Sequence, residues 1–537
     1  MFKGKLLDFQ HTGVEKLKSK RARLVGDEPG LGKTYTGIAL DQLNREGDGN
    51  EKIDLVDIFG SRKMKTLIVV PKSVLSSWDE HLMELTEDDI YLCDTKNRHR
   101  IIGPLKDRRR GGYFIVTWDF LRLEVDELEK IYFLHVIADE VHKAKSRKAQ
   151  QTRALKRLKT VYKTGLSGTP ADNAPRDLWS ILQWLWPNYY DSENDFLDAY
   201  VEYEIDEETG FRKYAGPNEE NLPILHAEME PWFVRRKKKD VLKDLPDKYY
   251  TRMWVDLAPK QRKAYDQMAK VMIAWVDQHK DEIDRNDPLI AKAVVTQLVR
   301  LQQYASGYVV PKIGEDGEYV YKRKHKGHER GECEYDDIPL GELESWEDQP
   351  CRDVQQFEVH DPSSKLDWIM EHLSNTDNQI VIWSAFKSIV YLLQARLEKA
   401  GIPYSLLTGD VNQKDREIAI TRFQTGDSRI YLGTIAAGGT GIQLQCASTS
   451  IFIDRVWSPS TNTQAEDRQH RIGQKNAVQV IDLMARNTVD LGKAQKVAMK
   501  SKWIAMMLGD EVDVDRISSM MADEPELNIE FELEEEE

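Results

Sequence analysis

No apolar stretch among the 537 residues approaches the roughly 18 that a membrane-spanning helix needs, so none is expected. The opening segment Met1-Phe2-Lys3-Gly4-Lys5-Leu6 has no signal-peptide core, which points to an intracellular protein. Cysteine is scarce: Cys93, Cys333, Cys351 and Cys446 are too few and too scattered for a disulfide framework, and they suit a reducing compartment. No CxxC pair occurs, so His325, His328, Cys333 and Cys351 lack the spacing of a zinc site and read as solvated loop residues. Basic charge is also in short supply, with a formal net charge of −15, an awkward value for a partner of nucleic acid. Its location changes that conclusion. Residues 521–537 hold nine acids and no base, and residues 329–361 hold twelve acids against Arg330 and Arg352. These segments carry −9 and −10, so the rest of the chain is +4 and mildly basic. The two acidic segments read as solubilising, or as covers that fold over a basic cleft.

The remainder is 40% hydrophobic and 31% charged, the balance of a soluble globular chain of roughly two to four domains. Its most informative feature is Asp27-Glu28-Pro29-Gly30-Leu31-Gly32-Lys33-Thr34, placed where the apolar run Leu24-Val25-Gly26 leads into a helix. Gly30, Leu31 and Gly32 let the backbone curl so that N–H groups face phosphate oxygens. Lys33 can then reach the β- and γ-phosphates of ATP or GTP, and the Thr34 hydroxyl can hold Mg²⁺. The stricter GxxxxGK[ST] spacing would need glycine at position 27, where Asp27 stands, so the loop matches the variant xxxGxGKT.

A phosphate loop needs acidic partners, and they occur at Asp139-Glu140-Val141-His142, directly after the apolar run Phe133–Ala138. That run reads as a buried parallel strand, whose carboxyl end is where ligands bind in such sheets. Asp139 is expected on the metal side, and Glu140 is expected to position or deprotonate water.

Strand-like runs alternate with helical stretches through the first part, at 24–26, 66–70, 113–117, 133–138 and 164–167. The rhythm returns at 379–384, 404–407, 429–434, 449–454 and 478–483. The fold class expected is α/β, with two lobes, each a parallel sheet covered by helices, and a mainly helical insertion between them. The expected divisions are an ATP-binding lobe over 1–189, helical protrusions with a hinge and acidic insert over 190–364, a second lobe over 365–510, and an acidic, disordered tail over 511–537. Trp179, Trp184 and Trp186 read as core packing.

Only the first lobe has a phosphate loop, so the second must supply something else. Its candidate is Gln464-Ala465-Glu466-Asp467-Arg468-Gln469-His470-Arg471-Ile472-Gly473-Gln474, with Arg468 and Arg471 spaced to share one helix face. Guanidinium groups offered from the opposite lobe can neutralise charge developing on the γ-phosphate, an effect of about 10³ to 10⁵ in rate.

Together these segments resemble the Swi/Snf-type ATPases of helicase superfamily two, over nearly everything from Leu6 to about Leu491. Phe9-Gln10 resembles the Q motif, which implies Gln10 at the adenine edge. Pro71-Lys72 through Trp78 and Thr117-Trp118 resemble segments expected on a DNA strand. Leu166–Asn173, with Ser167 and Thr169, resembles the motif that couples hydrolysis to movement, and Phe233-Val234-Arg235-Arg236-Lys237-Lys238-Lys239-Asp240-Val241 is particularly like this family. Thr434–Leu444 resembles motif V, and Trp457-Ser458-Pro459-Ser460 leads into the arginine motif. The resemblance implies two RecA-like lobes and a DNA-stimulated ATPase that uses Mg²⁺ and ATP. It implies ATP contacts at Gln10, Asp27, Gly30, Leu31, Gly32, Lys33, Thr34, Gly441 and Gln464, and metal ligands at Thr34 and Asp139. Catalytic roles fall to Lys33, Asp139, Glu140, Arg468 and Arg471. Sequence-nonspecific contact with double-stranded DNA falls to Lys72, Thr117, Trp118, Arg235, Arg236, Lys237, Thr434 and Trp457. Val141 and Pro29 depart from the commoner residues without removing a catalytic atom. No chromatin-reading module flanks the motifs, which suits a compact member from a bacterium or a phage, working in the cytoplasm of a bacterium or a virus-infected cell.

The basic run Arg235–Lys239 and the cluster Lys145, Arg147, Lys148, Arg153, Lys156, Arg157 and Lys159 could neutralise phosphates without reading bases. Translocation along duplex DNA or remodelling of protein–DNA complexes is the leading expectation. A strand-separating or annealing helicase, and a nucleotide-gated clamp without turnover, are the alternatives.

Overall fold

The computed structural model describes residues 2–46, 63–93, 98–172, 174–205, 212–278, 288–314, 318–325, 351–438 and 442–511. The first lobe is built on a seven-stranded parallel sheet. Its strands are β1 (Ala22–Val25), β2 (Lys65–Val70), β3 (Ile90–Leu92), β4 (Gly112–Thr117), β5 (Tyr132–Asp139), β6 (Lys159–Leu166) and, after the hairpin β7 (Val201–Ile205) and β8 (Arg212–Pro217), β9 (Phe233–Val234). Their spatial order is β3-β4-β2-β5-β6-β1-β9. Near-continuous apolar runs form β2, β4 and β5, which are buried almost throughout beneath the helices on both faces. Alternate residues supply two cores. Leu24, Leu67, Val69, Phe114, Val116, Val136 and Ala138 pack on one face, while Val25, Ile68, Val70, Tyr113, Ile115, Ile137 and Leu166 pack on the other.

The second lobe repeats the plan. Its sheet comprises β10 (Lys248–Val255), β15 (Ile380–Ser384), β16 (Tyr404–Leu407), β17 (Ile430–Thr434), β18 (Thr449–Phe452) and β19 (Val478–Ala485), in the order β10-β19-β18-β15-β17-β16. Ile380, Ile382, Ile430, Leu432, Ile451 and Leu483 line one core, and Val381, Trp383, Tyr431, Phe452 and Val480 the other.

The connecting stretch carries the long helices Pro259–Gln278 and Pro288–Ser306, and two further antiparallel pairs, β11 (Tyr308–Pro311) with β14 (Phe357–His360) and β12 (Tyr321–His325) with β13 (Cys351–Gln355). It also gives an edge strand to each sheet. β9 pairs with β1, and β10 pairs with β19 along its whole length, from Lys248–Val478 to Val255–Ala485. His328, Cys333, most of the acidic insert and the tail beyond Glu511 lie outside the described residues.

The last helix among the described residues, Val489–Leu508, leaves the second lobe and buries Met507 and Leu508 in the first lobe's core. Trp179 and Trp184 are buried in that same core, and Trp186 lies against Trp232 with ring centroids 3.7 Å apart.

Candidate active site at the seam between the lobes

The phosphate loop follows β1 and ends at the helix Lys33–Glu46. Gly30 and Gly32 adopt φ of +88° and +75°, a region that costs glycine nothing and side-chain-bearing residues a good deal. A β-carbon at Gly32 would stand 2.4 Å from Gln10 Nε2. That amide nitrogen donates to the Leu31 carbonyl (3.0 Å), and Gln10 Oε1 accepts from the Leu7 amide (2.9 Å), so Gln10 is buried tightly against the loop. Lys33 Nζ donates to the Asp27 carbonyl (2.8 Å), with the Glu28 carbonyl at 3.4 Å. Thr34 lies in the first helical turn, where N–H groups have no intrahelical acceptor and suit an anion.

The Asp27 side chain faces away from this cradle. Fully buried, its two oxygens accept from Arg236 Nε (2.7 Å) and Nη2. Arg236 also donates to the Phe9 carbonyl and sits 5.2 Å from the Phe9 ring centroid. Asp27 therefore anchors the loop and the Gln10 segment together through its carboxylate, and meets Lys33 through its carbonyl.

β5 brings Asp139 and Glu140 to the same sheet edge, two strands from β1. Asp139 Oδ2 accepts from the Trp78 indole (2.8 Å), and Oδ1 from the Glu140 amide (2.9 Å). Burial raises the pKa of the Asp139 carboxyl, helped by the neighbouring Glu140 charge. Burial acts in the same direction on Glu140, but nearby His142, Lys33 and Arg468 outweigh it and leave Glu140 a stronger acid than usual. Glu140 holds φ 50° and ψ 51°, a left-handed conformation rare for residues with a side chain. Its Oε2 is buried without a hydrogen-bond partner. His142 Nδ1 is 3.3 Å from that oxygen but makes its hydrogen bond to Ser167 Oγ, at 3.0 Å. Ser167 Oγ also accepts from the Thr169 amide (3.2 Å), and Thr169 Oγ1 is buried without a partner.

The second lobe approaches from the other side. The helix Pro459–Glu466, capped by Ser458, ends before the two arginines, so Arg468 and Arg471 do not share a helix face as their spacing predicts. Tertiary bonds override the helical continuation. Gln469 Nε2 donates to the Thr449 carbonyl (2.9 Å), Gln474 Nε2 donates to the Ala447 carbonyl (3.0 Å), and Leu444 N donates to the Arg468 carbonyl (2.9 Å). The resulting turns still carry both arginines to the seam. Arg471 Cβ lies 3.6 Å from where a β-carbon on Gly30 would be. Burial lowers the pKa of Arg468, with Arg471 adding to the effect and Glu140 and Asp467 opposing it. Gln464 is partly buried on the same helix, and Gly441 lies outside the described residues.

Contacts that the sequence did not single out cross this seam. Asp172 Oδ1 accepts from Ser458 (2.6 Å) and Ser460, while its Oδ2 accepts from Lys145 (2.7 Å). Lys238 Nζ pairs with Asp467 (3.0 Å) and donates to the His470 carbonyl (2.6 Å). Motif spacing offers no signal for the pairings of Asp172 with Ser458 and Ser460 or of Lys238 with Asp467 and His470, because each joins segments more than two hundred residues apart.

The residues expected on DNA divide. Lys72, just past β2, is exposed. Thr117 and Trp118 are buried: Thr117 Oγ1 caps the following helix by accepting from Phe120 N (3.1 Å), and the Trp118 indole donates to the Asp139 carbonyl (3.0 Å). Their side chains bond to the acidic strand's end and to the helix that follows β4. The basic run is likewise engaged within the protein. Arg235 bonds the Gly26 and Gly168 carbonyls (2.6 and 2.9 Å) and Asp510 (2.7 Å), Arg236 holds Asp27, and Lys237 donates to the Glu511 carbonyl (2.9 Å). Arg235 and Arg236 are thus each held by an acidic partner within the protein. Thr434 is buried at the end of β17, and Trp457 is partly buried with Lys493 Nζ 5.1 Å from its ring centroid. In the second basic cluster, Arg147 pairs with Glu193 (2.6 Å) and Arg157 with Asp126 and Glu129.

The SNF2-related domain matches residues 9–306, and the helicase conserved C-terminal domain matches residues 364–473. An uncharacterized ATP-dependent helicase of Mycoplasma pneumoniae is 25% identical over 516 residues, covering 95% of this chain and 42% of that protein. The TATA-binding protein-associated factor mot1 of Schizosaccharomyces pombe is 26% identical over 525 residues, covering 90% of this chain and 25% of its own. This chain thus spans less than half the length of these relatives. Among solved structures, the Sulfolobus solfataricus SWI2/SNF2 ATPase core in complex with dsDNA is 22% identical, covering 97% of this chain and 98% of that one with a TM-score of 0.37. With the phosphate loop, the acidic pair and most of the connecting stretch inside a single match to more than half of its length, the chain belongs to the SNF2-related family.

Proposed function

We propose that this chain hydrolyses ATP between its two lobes and uses the closure of the seam to move along double-stranded DNA or to remodel protein–DNA complexes. The observation that carries this reading is the approach of Arg471 to Gly30 of the phosphate loop, while the charge of Arg468 acts on Glu140. Groups from both lobes thereby address one site. Gly30 and Gly32 hold backbone conformations open to glycine, Lys33 Nζ is held by loop carbonyls, and Glu140 Oε2 is buried without a hydrogen-bond partner. Phosphate oxygens would compete well for Lys33 and for the first-turn amides.

In this reading Lys33 and the two arginines neutralise charge on the transferred phosphoryl group, and Glu140, held as a carboxylate, accepts a proton from water. Thr34 and Asp139 would hold Mg²⁺, a hydroxyl and a carboxylate being oxygen donors of the kind this ion takes. When bound, the ion neutralises phosphate charge. His142, bonded to Ser167 and beside Glu140, links the site to the coupling motif Ser167–Thr169. Lys72 supplies a phosphate contact on DNA, and the partly buried Lys237 and Trp457 are further candidates. The functional units are a first lobe over 1–189, a connecting stretch over 190–364 that lends an edge strand to each sheet, and a second lobe over 365–510. Among the described residues no helix is long and apolar enough to cross a membrane, and an intracellular site of action follows from a DNA substrate.

Steady-state ATP hydrolysis with duplex DNA, single-stranded DNA and RNA supplied separately tests the proposal. Stimulation by the duplex is expected, and stimulation only by single strands or RNA would defeat it. Lys33→Ala is expected to abolish turnover.

A further inference from the structure

The basic run Arg235–Lys239 follows β9, the first lobe's edge strand, and one of its members does something the others do not. Lys238 is 3% exposed, while Lys239 beside it is on the surface. An ammonium is buried this deeply only when partners replace its water. Its partners come from both halves of the site. The Lys238 amide donates to Glu28 Oε2 (2.7 Å) in the phosphate loop, and its Cε lies 3.8 Å from a β-carbon position on Gly30. Its Nζ reaches the second lobe, pairing with Asp467 Oδ1 (3.0 Å) and donating to the His470 carbonyl (2.6 Å). Asp467 and His470 bracket Arg468, and His470 immediately precedes Arg471.

We infer that Lys238 is a positioning residue, a cross-lobe tie that sets the arginine segment in register with the phosphate loop so that Arg468 and Arg471 meet the nucleotide. The inference rests on the ATP-hydrolysis reading above. Asp467 keeps a second cation, Lys248 Nζ at 3.1 Å, which belongs to the second lobe's own β10. Loss of the Lys238 ammonium therefore leaves Asp467 paired and the second lobe intact. What disappears is the part of this ion cluster that starts beside the first lobe's phosphate loop.

The test is DNA-stimulated ATPase of the full chain as wild type, Lys238→Met, Lys238→Arg and Asp467→Asn, with nucleotide binding and melting temperature measured alongside. For K238M, kcat is expected to fall on the order of tenfold to a hundredfold, the worth of a lost charge-assisted hydrogen bond. The KM for ATP and the affinity for a fluorescent ADP should stay within about threefold, because such a profile marks an interaction made in the transition state. K238R, which can still bridge Asp467 and the His470 carbonyl, should recover most of the rate. Should K238M fail to fold, D467N probes the same tie from the opposite lobe with the same expectation, and the double variant should be no worse than the poorer single one. Wild-type kcat in K238M, a loss that appears equally in nucleotide affinity, or strict additivity of the two substitutions would overturn the inference. Wild-type protein without DNA-stimulated hydrolysis would instead overturn the reading on which it rests.

Discussion

Glu140 combines three unusual properties: a left-handed backbone, an unpartnered buried oxygen and a pKa held low by surrounding cations. Strained conformations cost on the order of 1–3 kcal/mol and persist where the surroundings impose them, here between β5 and the following turn. Glu140→Gln keeps the shape and removes the base. It is expected to lower turnover by about 10² to 10⁴ while ATP still binds, as measured by single-turnover hydrolysis against nucleotide affinity. His470 offers a second residue-scale expectation. Its Nε2 donates to the Pro246 carbonyl (2.8 Å), and burial, assisted by Lys248, lowers its pKa from an ordinary 6.5 to about 4. Between those values the unfolded chain takes up a proton that the folded seam refuses, so stability rises with pH across this window and is lost as pH falls through it. Melting temperature should drop between pH 6.5 and 4, and His470→Asn should flatten that drop.

At the scale of elements, the seam is fastened by side chains at the ends of strands and helices. Asp172 sits past β6 and holds the N-cap Ser458 and Ser460 of the helix Pro459–Glu466. Asp172→Ala should cost about 2 kcal/mol or more by chemical unfolding, and it should blunt stimulation by DNA more than it changes the rate without DNA. The strands carrying the phosphate loop, the acidic pair and the coupling motif were legible in the sequence at least at their buried ends, β5 most fully because burial on both faces writes a long apolar run. β3, β9 and β10 were not. β3 and β9 are three and two residues long, and β10, reading Lys248-Tyr249-Tyr250-Thr251-Arg252-Met253-Trp254-Val255, is mostly half-exposed at a sheet edge and so carries polar residues. The acidic pair and the loop glycines could be read because phosphate chemistry demands those residue types at short spacing. Thr117 and Trp118 were assigned to DNA from family likeness and Arg235 and Arg236 from the charge of the basic run, whereas the ion pairs of the two arginines depend on partners far away in the chain. The same distance hid Lys238 and Asp172.

For the whole molecule, the division into two lobes was visible, but its boundary was not a simple cut. The second sheet ends in β10, which the chain contributes before the long helices and hairpins of the connecting stretch. A fragment of residues 365–510 would leave β19 paired with β18 alone and open along the eight residues that meet β10, an edge that invites association. It is expected to be insoluble or oligomeric by size-exclusion chromatography, while a fragment beginning at 247 should be monomeric. The same feature governs synthesis on the ribosome. Once β10 has emerged, it must wait through translation of the whole intervening stretch before its only neighbour exists. At roughly 5–20 residues per second that delay is on the order of ten seconds or more, during which the strand is a natural client for chaperones.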